Sequence, residues 1–109
     1  MLTEAELREV LGRSVLDGEG KTIGNLETFF KDRASGQPEW LGVYVSGMFR
    51  SHHRLVPARG AEREGKAIQV PWTKGEVGGA PEHSDPDEPI SEELEDRAYQ
   101  HYKLDRAAQ

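Results

Sequence analysis

The 109 residues include no cysteine. That absence removes disulfide staples, thiolate zinc sites, iron–sulfur ligation and cysteine nucleophiles together. Aromatic residues make up only 7%, and hydrophobic residues 35% against 31% charged, with a mean hydropathy of -0.76. So lean a composition predicts one small core with polar appendages. No apolar run approaches the roughly eighteen residues that mark a membrane-spanning helix. The opening MLTEAELREVLG alternates charge with leucine and does not read as a secretory leader. The expectation is one soluble, cytoplasmic domain.

The charge is uneven. Residues 1–81 hold 11 acidic and 11 basic side chains, whereas residues 82–109 hold 9 acidic and 3 basic. The whole net charge of -6 therefore sits in the last quarter. This balance argues against nucleic acid, whose phosphates need a basic surface. The one basic stretch, Arg50 to Lys66, reads as a solvated strand-and-loop surface rather than a polyanion site.

Thr3 and Glu6 have the spacing of a helix capping box, and Leu2 and Leu7 that of a hydrophobic staple. Leu7, Val10 and Leu11 then share one face, and Gly12 supplies a stop. From there the period changes to two. Strands are expected at 14–16, within 21–33, at 40–45 and 52–57, and at 67–70. Asp17 to Gly20 reads as a turn, Gly24 as a bulge or sharp bend, Gly47 as a strand end, and 58–66 as a charged loop. Leu41, Val43, Val45, Val56, Ile68 and Val70 are the predicted interior. A second capping box, Thr73 with Glu76, and a second staple, Trp72 with Val77, open a helix that Gly78, Gly79 and Pro81 cut short. Glu82 to Pro89 reads as an extended linker. Ser91 caps a last helix whose stripe is Leu94, Ala98 and Tyr102. The expected domains are 1–81, a mainly β, mostly antiparallel barrel with flanking helices, and 82–109, an acidic linker and helix.

The order of these signals is similar to that of the PRC-barrel family. Gly12-Arg13-Ser14-Val15, Asp17-Gly18-Glu19-Gly20 and Lys21-Thr22-Ile23-Gly24 resemble its opening. Ser35 to Val43, Leu55-Val56-Pro57-Ala58 after a Gly-Met-Phe turn, and Ile68 to Lys74 with Ala80-Pro81 resemble its later strands and short helix. The tail from Ile90 to Leu104 resembles the extension of stand-alone bacterial members. The resemblance implies a small PRC-type β-barrel. It also implies a docking or supporting role, as in the cytoplasmic part of the photosynthetic reaction centre H subunit and the C-terminal domain of the ribosome maturation factor. Some relatives are fused to stress-related domains.

Nothing in the residues specifies an enzyme. His52 and His53 are neighbours on a strand and point to opposite faces. His83 sits beside Asp85 and Asp87, His101 follows Arg97, and all four histidines are expected to be solvated. Asp85, Asp87 and Glu88 lack calcium-loop spacing. Ser46, Ser51, Ser84 and Ser91 lack a nucleophile-elbow context. The glycines at 18, 20 and 24 precede no helix. No catalytic residue, cofactor or metal is therefore expected.

Trp40 and Tyr44 face away from the predicted interior and must be covered, by a terminal helix in preference to a partner. With Leu94, Ala98 and Tyr102 they form the candidate interaction surface. The acidic tail is expected to dock on the barrel near the basic stretch, in cis or in a swapped dimer. The expected function is non-enzymatic protein–protein association, homodimers included, without direct membrane insertion. Two alternatives are accessory service to membrane electron or proton transfer, as in the H subunit, and a small metal-dependent hydrolase.

Overall fold

Thr3 starts the first helix as its sequence requires. Its hydroxyl accepts from the Glu6 amide at 3.2 Å, and the Glu6 carboxylate accepts from the Thr3 amide at 2.9 Å. The structure is a computed structural model that describes residues 2–45, 53–83 and 89–104. Helix α1 (Glu4–Glu9) buries Leu7, and the flanking Leu2 and Val10 join the same core. Leu11 does not follow them. The helix ends at Glu9, so Leu11 falls outside its period and stands 41% exposed.

Strands β1 (Ser14–Leu16), β2 (Thr22–Lys31), β3 (Pro38–Val45), β4 (His53–Pro57), β5 (Glu62–Glu64) and β6 (Ala67–Gln69) form one sheet in the order β4-β3-β2-β1-β6-β5. Neighbours are antiparallel except β1 and β6. The architecture is mainly β, as expected. The turn after β1 is held by Asp17, whose carboxylate accepts from the Glu19 and Lys21 amides, each at 2.9 Å. Gly24 lies beside a register shift between β1 and β2. A Cβ there would come within 1.9 Å of the Tyr44 carbonyl oxygen, so only glycine lets β2 approach β3 this closely.

Strand β5 occupies part of the expected loop 58–66. Its three residues are all exposed, so no hydrophobic alternation announces it. Gly47, the Gly-Met-Phe turn, Arg50, His52, Asp85, Asp87 and Glu88 lie outside the described residues.

Leu41, Val43, Val45, Val56, Ile68 and Val70 are all buried in one core cluster, together with Val15, Ile23, Leu26 and Val77. Helix α2 (Lys74–Gly78) carries its capping box between Thr73 and Glu76. Helix α3 (Glu92–His101) is capped by Ser91, whose hydroxyl accepts from the Leu94 amide at 3.1 Å. It builds a second core on the other side of β3 and β4, where Trp40, Leu55 and Ala80 meet Ala98, Tyr99 and Tyr102.

An aromatic seam and a histidine joint

Strand alternation puts Trp40 and Tyr44 on one face, but the chain treats them differently. Trp40 is 1% exposed, whereas Tyr44 is 41% exposed. The Trp40 ring meets Tyr99 edge-on with centroids 4.9 Å apart, and Tyr102 at 6.4 Å. Trp72 closes the other side, 4.8 Å from Tyr102. Rings offset or edge-on at such distances add to the burial of their area. The cover is therefore α3 in cis, and as an open partner surface Trp40 is unavailable here. Tyr44 lies beyond the helix and packs edge-on to His53 at 5.5 Å.

Of the five expected interface residues, the structure brings together Trp40, Ala98 and Tyr102, with Leu94 packed against them and Tyr44 apart. Tyr99 and Leu104 widen the stripe beyond its expected width. The helix ends with Lys103 at φ 56, the Lys103 amide bonded to the Gln100 carbonyl and the Leu104 amide to the Tyr99 carbonyl. This left-handed termination turns Leu104 back beside Tyr99. A glycine after the helix would have signalled it; lysine does not.

Polar contacts fix the helix in register. The Tyr102 hydroxyl donates to the Leu55 carbonyl at 2.6 Å, and burial pushes this phenol far above its usual pKa. The Tyr99 hydroxyl donates to Glu39. Arg33 donates to the Ile90 carbonyl at 3.2 Å, and His101 Nε2 lies 2.6 Å from the Glu76 carbonyl. The seating of α3 thus joins aromatic packing to these hydrogen bonds, and the described part of the basic stretch makes contacts of its own. In that stretch Arg63 reaches Glu9 at 2.7 Å, and Arg54 donates to the Ala80 carbonyl at 2.9 Å. Three buried donors at or near the seam, Trp40 Nε1, Trp72 Nε1 and Arg54 Nε, find no acceptor among the described residues.

Next to the seam, a cleft of about 410 Å³ opens between α1, β2 and the start of α3. Phe29, Phe30 and the exposed Leu11 give it an apolar wall, and Arg8, Lys31 and Arg33 line it from above. Arg8 lies over the Phe29 ring at 5.5 Å and pairs with Glu4 at 2.7 Å. That bond, with Lys31 at 3.4 Å, holds the Glu4 carboxyl below its ordinary pKa.

His83 departs from its expected solvated state. It is 4% exposed, and neither ring nitrogen has a partner among the described residues. Its ring packs edge-on to Phe30 at 5.3 Å and lies 5.7 Å from the His53 ring. It rests on Gly42, where a Cβ would stand 2.7 Å from His83 Nε2. His53 itself holds Glu27 at 2.5 Å. Burial is the main cause that lowers the His83 pKa, with His53 adding to it. The first two residues of the expected linker also belong to the sheet edge. Glu82 bridges to Arg54, and the His83 amide donates to the His53 carbonyl at 3.1 Å. Among the described residues no group of three or more His, Asp or Glu side chains is arranged to hold a metal ion.

The PRC-barrel domain model matches residues 2–77 of this chain. The chain belongs to the PRC-barrel family. The matched span of this PRC-barrel ends inside α2, so the seam joins a residue of the family span, Trp40, to a helix beyond it. Among solved structures, the chain is similar to a protein from Pseudomonas aeruginosa described as a 16S ribosomal RNA processing protein, RimM. The TM-score is 0.47 at 15% identity, over 68% of this chain and 50% of that one. This PRC-barrel thus spans about half the length of that protein. No curated protein matches it significantly. Among the described residues, no helix is long and apolar enough to cross a membrane.

Proposed function

We propose that this PRC-barrel is a non-enzymatic, cytoplasmic interaction module, with a protein partner and α3 competing for the Trp40–Trp72 face. Residues 84–109, rather than the expected 82–109, are then a separable acidic appendage that regulates association. A second copy that donates its α3 in exchange gives a swapped homodimer. Neither nucleic acid nor direct membrane insertion enters this reading, since residues 1–81 balance acid with base.

The observation that carries the reading is the incomplete satisfaction of the seam. Trp40, Trp72 and Arg54 each keep a buried donor without an acceptor among the described residues. The cis helix holds its face by ring packing and its own hydrogen bonds, while these donors remain for an occupant that could meet them. The adjoining cleft, lined by Phe29 and Phe30 and by Arg8, Lys31 and Arg33 beside Glu95, suits a partner segment of mixed apolar and charged side chains.

Truncation after His83 tests the reading. The shortened chain should remain folded by circular dichroism and should associate, or bind partner, more strongly than the full chain. A folded truncation with unchanged mass, solubility and partner binding would remove the regulatory role, and an unfolded one would make α3 part of the core.

A further inference from the structure

Residues 80–83 form the strip from which the chain departs toward α3, and three hydrogen bonds seal that strip onto β4. The Leu55 amide donates to the Pro81 carbonyl at 3.2 Å and Arg54 to the Ala80 carbonyl at 2.9 Å. The bond from the His83 amide to the His53 carbonyl completes the edge and, with that from Leu55, pairs Glu82 with Arg54. The only side chain of residues 82 and 83 that is buried is the His83 ring. Gly42 leaves the space it fills, and Thr28 and Phe30 border it.

A neutral imidazole can occupy such a place as a nearly apolar ring, at the cost of an unmet N–H. An imidazolium brings a second N–H and a full charge to the same place, and both need partners. Among the described residues, the groups that face it offer little. Glu27 on β2 is already held by His53 on β4, and Arg54 on β4 is a cation. Tyr44 on β3 lies against His53, and Glu82 on the same strip is exposed. Glu27 and Glu82 favour the proton, but burial and His53 outweigh them and depress the His83 pKa.

We infer that His83 is a proton-operated latch: the neutral ring pins residues 82–83 to β4, and protonation frees that strip and the α3 that follows, uncovering Trp40 and Trp72. Release itself is independent of the interaction reading above; only its consequence for partners rests on that reading.

The test is a pH titration of the full chain by NMR, following the His83 ring together with hydrogen exchange at the Trp40 and Trp72 indole N–H groups. His83 should titrate below the ordinary 6.5, and indole protection should be lost with the same midpoint. His83→Phe, a ring without a proton site, should abolish that loss. His101→Gln, which replaces the ring at the opposite contact of α3, should keep it. Indole protection that stays constant while His83 titrates, or a loss that persists in His83→Phe, would overturn the latch. If His83→Phe fails to fold, the coincidence of midpoints in the native chain decides. Indole release with no change in mass or partner binding would uphold the latch and count against the interaction module. Partner binding at an α3-free face with the indoles of the full chain still protected at low pH would do the reverse.

Discussion

The hydroxyl of Tyr102 donates to the carbonyl of Leu55 across 2.6 Å, joining the last turn of α3 to the edge strand of the sheet. Leu55 is paired opposite Gly42, and its amide is taken by Pro81. Both outward backbone groups of this residue are therefore occupied by the segment that follows the barrel. An edge strand covered in this way offers no free ladder for a second sheet. Residues 80–83 and Tyr102 close that part of the edge.

Tyr102→Phe should keep the ring contacts with Trp72 and Trp40 while leaving the Leu55 carbonyl without its donor. A loss of about 0.5–1.5 kcal/mol in denaturant melts is expected. A neutral substitution would mean that water replaces the hydroxyl and that α3 is held by its rings alone.

Trp40 and Tyr44 share a strand face, but only Trp40 lies under α3. Trp40→Ala should cost on the order of 3–5 kcal/mol, as a buried aromatic truncation. Tyr44→Ala, at a 41% exposed position, should cost far less. Comparable losses at the two positions would show that the helix covers the face differently.

The interior was legible in the sequence because the alternation of Leu41, Val43 and Val45 is strict, and the helix caps because Thr3 and Thr73 carry capping-box spacing and Ser91 precedes an acidic first turn. What hid was the doubly buried part of the sheet. Leu55 lies on a face that alternation assigns to solvent and is buried because a helix far along the chain returns to it, whereas the cover that Trp40 needs was legible. Tyr99, Leu104 and His83 hid for related reasons: a non-glycine helix ending, and a histidine whose burial depends on the gap at Gly42. Short β5 showed no pattern because none of its side chains enters the core.

Val43→Ala should cost on the order of 1–3 kcal/mol in equilibrium melts. Gly42→Ala should also be destabilising, because its methyl would collide with Thr28 and with the His83 ring. The double variant Gly42→Ala with His83→Ala should recover part of that loss. No recovery would place the strain at Thr28 instead.

Stability should depend on pH through His83. Its folded pKa is depressed below the ordinary 6.5 by burial, so the unfolded chain takes up the proton first. The contribution is complete above 6.5 and is lost as pH falls from there through the folded value. Denaturant midpoints measured from pH 8 down to the carboxylate range should show this fall, and His83→Phe should flatten it. An unchanged slope in the variant would assign the dependence to other groups.

The most direct measurement adds a synthetic peptide of residues 89–104 to a barrel ending at His83 and follows tryptophan fluorescence. A face for which α3 competes predicts saturable binding that alters the Trp40 and Trp72 emission, with no such response from the full chain, whose own helix already sits there. A folded barrel that shows no binding, or a full chain that binds the peptide equally well, would contradict the account.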